Sequence, residues 1–258
     1  MPEILSQRSE SVLQIQLNRP EKKNAMTMSM YSTVTELLIG AGNDDGIRAV
    51  LLYGAGDAFC AGNDLGDFLH HPPHGNDSPQ ARYIAALLGF DKPLIAAVRG
   101  VAIGGGATVL AHCDFVYAAE NASFQLPFIK LGVVPELGTS YWLPAQIGYL
   151  AAAELVLLAQ PFDAWRAMSL GLVTRVVAEA DVLGIALDTA RKLTRQPLGA
   201  VRASKRLMRR ALGTEMAVAT ELELREYASR LQSSEAKEAI TAFFEKRQPD
   251  FTKFKATA

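Results

Sequence analysis

The chain has 258 residues, of which 49% are hydrophobic and 21% are charged, and its formal net charge is −1. This length allows a substantial buried core and favours one large domain, or one domain with a helical appendage. A net charge close to zero gives no overall field that attracts nucleic acid or an anionic membrane, so we expect neither as a partner. Arg99, His112 or Glu154 interrupt the longest apolar stretches, and no membrane-spanning segment is predicted.

Predicted strands and helices alternate through the N-terminal part of the chain. Buried or half-buried strands are predicted from apolar runs and from alternation, and helices from periodic apolar residues. This order is typical of an α/β domain with a largely parallel sheet. A mobile surface loop is predicted over the Gly- and Pro-rich residues 70–79. The predicted strands are Val12–Arg19, Ala49–Gly54, Pro93–Val98 and Cys113–Ala118, and the predicted helices are Ser29–Ala41, Ser78–Leu88 and Gly105–Ala111.

The pattern changes after Asp163. This residue is predicted to cap a short helix that Gly171 ends, and the sequence VTRVV (173–177) predicts one more strand. Beyond Asp181 only helices are predicted. We therefore predict an α/β core over residues 1–180 and a helical C-terminal region over residues 181–258. The C-terminal helices are predicted over Val182–Thr194, Leu198–Leu212, Glu215–Leu231 and Ser234–Lys246.

The two cysteines, Cys60 and Cys113, do not form the pattern of a disulfide framework, and we expect both to be reduced and largely buried. The N-terminal sequence MPEILSQRSE has no apolar signal core, and the C-terminal sequence KATA is not a peroxisomal address. These features favour a cytoplasmic protein.

Two glycine-rich segments follow predicted strands. The segment 54–66 lacks a dinucleotide fingerprint, because Phe59 stands where a third glycine is needed and no suitably placed acidic ribose ligand is evident. Gly62 instead predicts a tight turn with an exposed amide nearby. Three glycines, 104–106, open a predicted helix, where they permit either close packing or the approach of a ligand oxygen to unpaired N–H groups. The second interpretation, an oxyanion hole, is favoured.

Other polar residues give weaker signals. His70, His71 and His74 lie in the predicted loop without further Cys or His ligands nearby, so we predict a solvated loop and no metal site. His112 is interpreted as a core residue, and Cys60 as a packing residue. The basic run 202–210 is interpreted as a solvated helix face, with phosphate binding as the alternative.

One carboxylate, Glu136, stands in the apolar segment 122–143 (ASFQLPFIKLGVVPELGTSYWL), whose only other charge is Lys130. Glu136 is either an acid in a surface turn or at the start of a helix near Gly138, or a carboxylate in an apolar cavity. In a cavity, desolvation raises the pKa of a carboxyl group, which then can transfer a proton near neutral pH. The residues alone leave these two interpretations open.

Several segments in order resemble the enoyl-CoA hydratase/isomerase (crotonase) superfamily. The resemblance implies a right-handed spiral of ββα units with a C-terminal helical region that helps to form a homotrimer or a dimer of trimers. It also implies an acyl-CoA substrate, no separate cofactor, and an enolate oxygen held by the backbone N–H groups of Asn63 and Gly105. The matching segments are Leu17–Met26, Gly56–Leu65, Lys92–Phe124, Asp163–Val177 and Ala242–Phe251.

The resemblance further implies where the substrate binds. The residues in this group fall in the N-terminal motif, in the AGNDL motif, in the acyl pocket beside Glu136, and in the C-terminal tail of a neighbouring subunit. By the superfamily's pattern they are Lys22, Lys23, Ala25, Ala61, Gly62, Asp64, Leu65, Phe128, Phe243 and Lys246, with Ile129, Leu131 and Val133 as further wall of the acyl pocket.

The carboxylates decide the reaction within the superfamily. Thr108 and Phe128 occupy the positions of the two glutamates of hydratases, so hydration by the two-glutamate mechanism is not expected. The sequence PFIKLGVVPE instead resembles monofunctional Δ3,Δ2-enoyl-CoA isomerases, which implies that Glu136 is the sole acid–base residue. The alternatives are another acyl-CoA enzyme of the superfamily, such as a hydratase or an isomerase of a ring-containing acyl group, and a non-catalytic acyl-CoA-binding module.

Overall fold

The computed structural model describes residues 1–70 and 77–254. Most of the predicted loop, including His71 and His74, and the C-terminal KATA therefore lie outside the described residues. The strands are β1 (Ile4–Ser9), β2 (Val12–Leu17), β3 (Ala49–Gly54), β4 (Leu94–Val98), β5 (Val101–Ile103), β6 (Phe115–Ala119), β7 (Ser123–Gln125), β8 (Phe162–Asp163) and β9 (Arg175–Val177). The helices are α1 (Met28–Asn43), α2 (Leu65–His70), α3 (Pro79–Gly89), α4 (Gly105–Thr108), α5 (Thr139–Ile147), α6 (Tyr149–Leu157), α7 (Ala164–Ser169), α8 (Val182–Thr194), α9 (Leu198–Leu231) and α10 (Ser234–Phe244).

A six-stranded sheet forms the centre of the fold, with the order β1-β2-β3-β4-β6-β9. Only the β1–β2 pair is antiparallel, and the remaining neighbours are parallel. Val50, Leu51 and Ile95 are fully buried, as expected for parallel strands that are covered on both faces. The α/β prediction is confirmed.

A second, three-stranded sheet has the order β5-β7-β8. The chain passes from β4 directly into β5 and then into α4, and from β6 into β7. In these two turns the chain places one strand in each sheet before the next helical segment. This ββ-then-helix order puts the start of α4 at the end of β5, where the glycine triplet lies.

The sequence-based helix boundaries are wrong in two places. The predicted helices Leu198–Leu212 and Glu215–Leu231 form one uninterrupted helix, α9. Gly213 is exposed within this helix, and a glycine inside a helix costs only about 1 kcal/mol, which is too little to end the helix here. The predicted helix Gly105–Ala111 ends at Thr108, and a 3-10 turn over Val109–His112 follows it.

The basic run on α9 anchors this helix to the sheet. Lys205 Nζ lies 2.7 Å from Asp114 Oδ2, Arg206 lies 2.8 Å from Asp91, and Arg209 donates to the carbonyl of His112 at 2.9 Å. The solvated-face interpretation is therefore wrong for Lys205, which is buried, whereas Arg206 and Arg210 are exposed as predicted.

The helices after β9 differ in what they contact. Helix α8 buries Val182, Ala186 and Ala190 in the main hydrophobic core with the sheet. The division at residue 180 stays a prediction. No helix within the described residues is both long enough and apolar enough to cross a membrane.

Lys92 caps the end of α1 from inside the core. Its side chain is fully buried, and Nζ donates to three backbone carbonyls, those of Ala41, Asp44 and Ile47, at 2.6, 2.9 and 2.9 Å. We expect Lys92→Met to lower the free energy of unfolding by about 3 kcal/mol or more, because the three acceptors lose their donor. Urea unfolding measures this change. Lys237→Met on exposed α10 is the matched control and should change stability by less than about 0.5 kcal/mol; equal effects of the two variants would contradict the prediction.

Candidate active site

The segment after β3 runs along β5 and approaches the start of α4. The carbonyl of Cys60 accepts from the amide of Ile103 at 2.9 Å. Gly62 has a φ of +90°, and a Cβ there would lie 2.8 Å from the carbonyl oxygen of Ile103 and 3.7 Å from the backbone nitrogen of Gly105. Glycine permits this approach, which brings the next residue, Asn63, beside the first turn of α4.

The backbone amides of Asn63 and Gly105 are not used by the segments that carry them. Met26 pairs with Asn63 by donating to Gly62 at 2.7 Å and accepting from Asp64 at 2.9 Å. In this parallel pattern the N–H of the central residue faces the opposite side. Gly105 is the first residue of α4, where amides lack intrahelical partners. Two such amides on neighbouring segments can stabilise one oxygen that carries negative charge.

Glu136 lies directly over Gly105. A Cβ on Gly105 would be 2.9 Å from Glu136 Oε1 and 3.3 Å from the hydroxyl of Tyr31. Glu136 is 6% exposed, and its Oε1 has no hydrogen-bond partner among residues 1–70 and 77–254. Burial, and second the negative charge of Glu223, raise the pKa of Glu136 from 4.5 to about 7. A surface turn is thus excluded, and Glu136 can both accept and release a proton near neutral pH.

Hydrogen bonds to the backbone hold the segment that carries Glu136. Leu137 and Gly138 are both left-handed, with φ of 60° and 73°, and the conformation costs roughly 1–2 kcal/mol at Leu137. Thr139 Oγ1 donates to the carbonyl of Glu136 at 2.5 Å, and His112 Nε2 lies 3.1 Å from the carbonyl of Leu137. Burial lowers the pKa of His112 to about 3, so the neutral ring acts as the donor. His112 is a core residue, as predicted, with a direct contact to the Glu136 segment.

Tyrosines surround the carboxylate and the side chain of Asn63. The hydroxyl of Tyr31 donates to Asn63 Oδ1 at 2.5 Å, and Asn63 lowers the pKa of the buried Tyr227 phenol against the larger effect of burial. The rings of Tyr31 and Tyr83 lie 5.1 Å apart. Burial, and second the charge of Glu136 for Tyr31 and Tyr227, raise the pKa values of these phenols, which stay neutral. A narrow cavity lined partly by Tyr31, Cys60, Tyr83 and Gly105 adjoins this group.

The structure brings together most of the residues predicted to bind CoA. The amide of Ala61 donates to the carbonyl of Lys23 at 2.9 Å, so the exposed Lys22 and Lys23 line the same edge as the 61–65 segment. Burial alone would raise the pKa of Asp64, but the amide of Asp67 and the guanidinium of Arg19 lower it. The residues at this edge are Lys22, Lys23, Ala25, Ala61, Gly62, Asp64 and Leu65.

Other predicted residues lie elsewhere. Phe243, near the end of α10, and Lys246, just after it, are both exposed, while other residues of α10 pack on α9 and on the turn Ile129–Leu131. That Phe243 and Lys246 contact the CoA of a neighbouring subunit stays a prediction. Phe128 is 3% exposed, in a second hydrophobic cluster with Val133, Trp142 and Tyr227, against which Leu131 packs. Ile129 is 42% exposed on a single chain, and its place in the acyl pocket stays a prediction. Thr108 is fully buried, and among the described residues its hydroxyl has no partner.

The sequence analysis missed Tyr31, Glu223 and Tyr227. On α9, the buried residues Met216, Thr220, Glu223 and Tyr227 follow helical spacing. A glutamate inside such a stripe was the signal available in the sequence. Both cysteines are free, and burial raises the pKa of the Cys60 thiol to about 12, in line with a packing role. No group of three or more potential metal ligands occurs in the part of the chain that the structure describes.

The raised pKa of Glu136 predicts a pH-dependent effect of Glu136→Gln on stability. On folding, the pKa of Glu136 rises from 4.5 to about 7. The folded state therefore holds the proton more tightly than the unfolded state, and the stability that this provides is present below pH 4.5 and is lost between pH 4.5 and 7. The loss is on the order of 3 kcal/mol. The melting temperature of Glu136→Gln should therefore rise relative to wild type across this interval and stay higher above pH 7. Glu120→Gln, an exposed matched control, should show no such pH dependence; parallel curves for Glu136→Gln would contradict the prediction.

Comparison with known proteins agrees with this site. Residues 7–254 match the family model described as enoyl-CoA hydratase/isomerase. The chain is 36% identical to the 1,2-epoxyphenylacetyl-CoA isomerase of Escherichia coli K12, over 96% of this chain and 98% of that protein. It is 34% identical to a probable enoyl-CoA hydratase of Rhodobacter capsulatus, over 95% of each. Enoyl-CoA delta isomerase 2 of Rattus norvegicus is 33% identical, over 90% of this chain and 61% of that protein.

A solved structure shares the fold. That of Pseudomonas aeruginosa OdaA superposes with a TM-score of 0.91 at 43% identity, covering 94% of this chain and 99% of that chain. The family-model match, these relatives and the shared fold show a protein of the crotonase class. The chain belongs to the enoyl-CoA hydratase/isomerase family, as the sequence resemblance predicted.

Proposed function

We propose that the protein is a Δ3,Δ2-enoyl-CoA isomerase, which moves the double bond of a 3-enoyl-CoA to the 2-position. One observation carries the proposal. Glu136 is buried beside Gly105, the first residue of α4, while by the family's pattern Thr108 and Phe128 occupy the two positions at which a hydratase has glutamates. A double-bond shift needs one acid–base group, whereas water addition by the family's two-glutamate mechanism needs two.

The proposed reaction uses Glu136 twice. Its carboxylate removes a proton from C2 of the 3-enoyl thioester, and the electron pair of that C–H bond delocalises into the carbonyl to give a dienolate. The amides of Asn63 and Gly105 stabilise the oxygen. Glu136 then returns the proton to C4, so that the bond between C3 and C4 becomes single and the bond between C2 and C3 double. A pKa of about 7 suits both steps, because neither form of Glu136 dominates near neutral pH.

The burial of Glu136 supports a mechanism in which this one residue both removes and returns the proton. Oε1 of Glu136 is without a hydrogen-bond partner in the described part of the chain, and is therefore free to accept the C2 proton. The phenols of Tyr31, Tyr83 and Tyr227 remain neutral around it. Such surroundings exclude water, which would otherwise compete for the proton or add to the product.

A second candidate has its own support. The E. coli relative is named an isomerase of an epoxide of phenylacetyl-CoA, a ring-containing acyl group. In this candidate the carboxylate and the amides serve the same thioester enolate chemistry on a bulkier acyl group. A non-catalytic acyl-CoA-binding module is disfavoured, because a buried carboxylate without a hydrogen-bond partner is costly and stabilises nothing by itself.

We further propose that the protein assembles as a homotrimer or a dimer of trimers, without a cofactor beyond the CoA of its substrate. Large apolar side chains remain exposed on a single chain, as is typical of surfaces buried by assembly; they include Tyr149, Leu150, Leu158, Trp165, Phe243 and Phe244. In such an assembly Phe243 and Lys246 would reach a neighbour's CoA. A cytoplasmic location stays a prediction from the sequence.

The test is a set of purified-protein assays with three acyl-CoA substrates. 3-Enoyl-CoA substrates of several chain lengths should be converted to 2-enoyl-CoA. The absorbance of the conjugated thioester measures this product. The same protein should hydrate 2-enoyl-CoA far more slowly. Hydration at an equal or faster rate would overturn the proposal. Preferential turnover of the phenylacetyl-CoA epoxide would establish the second candidate, and binding of every substrate without turnover would establish the non-catalytic module.

A further inference from the structure

Glu223 is a buried carboxylate on α9, far along the chain from Glu136. It is 5% exposed. Its Oε2 accepts from the amide of Gly138 at 2.7 Å, and its Oε1 accepts from the amide of Ser140 at 2.6 Å. Both amides belong to the start of α5, where N–H groups have no partner within the helix. One side chain of the C-terminal helix therefore satisfies the amides just after Glu136.

This contact completes the support of the Glu136 segment. His112 and Thr139 bind its carbonyl groups, whereas Glu223 binds its amides. Leu137 and Gly138 between them are held in a left-handed conformation, which persists only where its surroundings impose it. Helix α9 also packs closely here, since a Cβ on Gly138 would lie 2.8 Å from Met216. The position of the Glu136 carboxylate thus depends on α9.

We propose that Glu223 is a positioning residue for the reaction of Glu136: its carboxylate fixes the backbone that carries Glu136, and its negative charge acts on the Glu136 carboxylate. This inference rests on the proposed function, in which Glu136 is the acid–base group. It gives a second residue of α9, beside Tyr227, a part in an active site whose other residues lie in the α/β part.

Glu223 carries a negative charge, whereas the other titratable groups named here around Glu136 are neutral. Tyr31 from α1, Cys60 from the segment after β3, Tyr83 from α3 and Tyr227 from α9 are neutral because burial raises their pKa values. His112 is neutral because burial, and second the positive charge of Arg209 behind it, lower its pKa to about 3. After burial, the negative charge of Glu223 is the cause that raises the pKa of Glu136. Burial also raises the pKa of Glu223 itself, against the opposing effect of its hydrogen bonds to Ser140 and Gly138, so the charge acts on Glu136 above the pH at which Glu223 ionises.

The test compares Glu223→Gln with wild type in two measurements. Glutamine removes the charge and offers only one oxygen to the two amides. The plateau value of kcat should fall by roughly 10- to 100-fold, because a small displacement of a catalytic base is costly. The acid limb of the kcat–pH profile should move to lower pH, since Glu136 loses a neighbouring negative charge. A residue with a purely structural role would lower kcat without moving the limb.

The second measurement does not require turnover. Carboxyl carbon NMR of ligand-free protein labelled in glutamate reports the titration of Glu136, assigned by the signal that Glu136→Gln removes. In Glu223→Gln this titration should move to lower pH. Unchanged titration overturns the inference, even if the protein isomerises 3-enoyl-CoA. A wild-type protein without isomerase activity overturns the proposed function, while the NMR shift still tests the coupling of the two carboxylates.

Two further variants serve as controls. Thr220 lies one turn before Glu223 on the same buried stripe and donates to the carbonyl of Met216 at 2.8 Å; Thr220→Val should leave the titration of Glu136 in place. Glu223→Asp keeps the charge but shortens the side chain, so kcat should fall while the acid limb stays at the wild-type pH. Wild-type kcat in Glu223→Asp overturns the positioning role, and this variant decides the matter if Glu223→Gln does not fold.

Discussion

Glu136→Gln is expected to lower kcat for 3-enoyl-CoA isomerisation by roughly 10³-fold or more, within the upper range for loss of a general acid–base group. Glutamine keeps the size of the side chain but accepts no proton at C2. Acyl-CoA affinity should change little, because the edge at Lys23 and Ala61, which is predicted to bind CoA, is built from a different part of the chain. The measurements are steady-state kinetics and calorimetric binding of a saturated acyl-CoA.

The comparison with an exposed carboxylate makes this result specific. Glu120→Gln removes the same charge from the surface and should keep wild-type kcat. If Glu136→Gln retained more than about a tenth of the wild-type kcat, Glu136 would not be the base, since a positioned base contributes at least about 10²-fold. A joint loss of kcat and of acyl-CoA affinity would instead indicate a structural defect in the pocket.

Gly105→Ala is expected to lower kcat/KM by about 10²- to 10³-fold, the usual effect of losing an oxyanion-hole donor. The added methyl group would lie 2.9 Å from Glu136 Oε1 and 3.3 Å from the hydroxyl of Tyr31. It therefore occupies the space between the base and the amides, where the thioester oxygen must lie. Both obstacles are the ends of side chains, so the variant should fold and lose activity rather than stability.

A second glycine provides the matched control for this prediction. Gly184 lies on the exposed side of α8, where a Cβ would meet nothing within 4 Å. Gly184→Ala should raise the free energy of unfolding by up to about 1 kcal/mol through helix propensity and leave kcat/KM unchanged. Gly105→Ala with wild-type kcat/KM would show that the thioester oxygen binds elsewhere.

Local patterns predicted the parts of the structure that depend on local physics. The apolar run Ala49–Gly54 is β3, and the periodic residues Val182–Thr194 are α8, with the predicted bounds. Asp163 caps α7 through its side chain, as its position before the helix indicated. The three-residue strands β5 and β7 escaped prediction, because so short a segment shows no period.

Some residues of the candidate site were predicted from sequence motifs, and others were found only in the structure. The resemblance placed Glu136, Asn63 and Gly105 by motif, and their roles remain predictions that the experiments above address. The alternative left open by the residues, a turn or a cavity for Glu136, was decided only by burial. Tyr31 and Glu223 reach the site through tertiary contacts with Asn63 and Gly138, which no sequence spacing encodes.

The continuity of α9 has a consequence for the minimal unit that can act. At about 1.5 Å per residue, its 34 residues extend roughly 50 Å. One end is bound to the sheet through Lys205 and Asp114, and the other carries Glu223 and Tyr227 into the site. A chain cut inside this helix would keep the glycine triplet and Glu136, yet would lack the side chains that enclose and orient them. We therefore expect that the α/β part alone, without α9, is not an active enzyme.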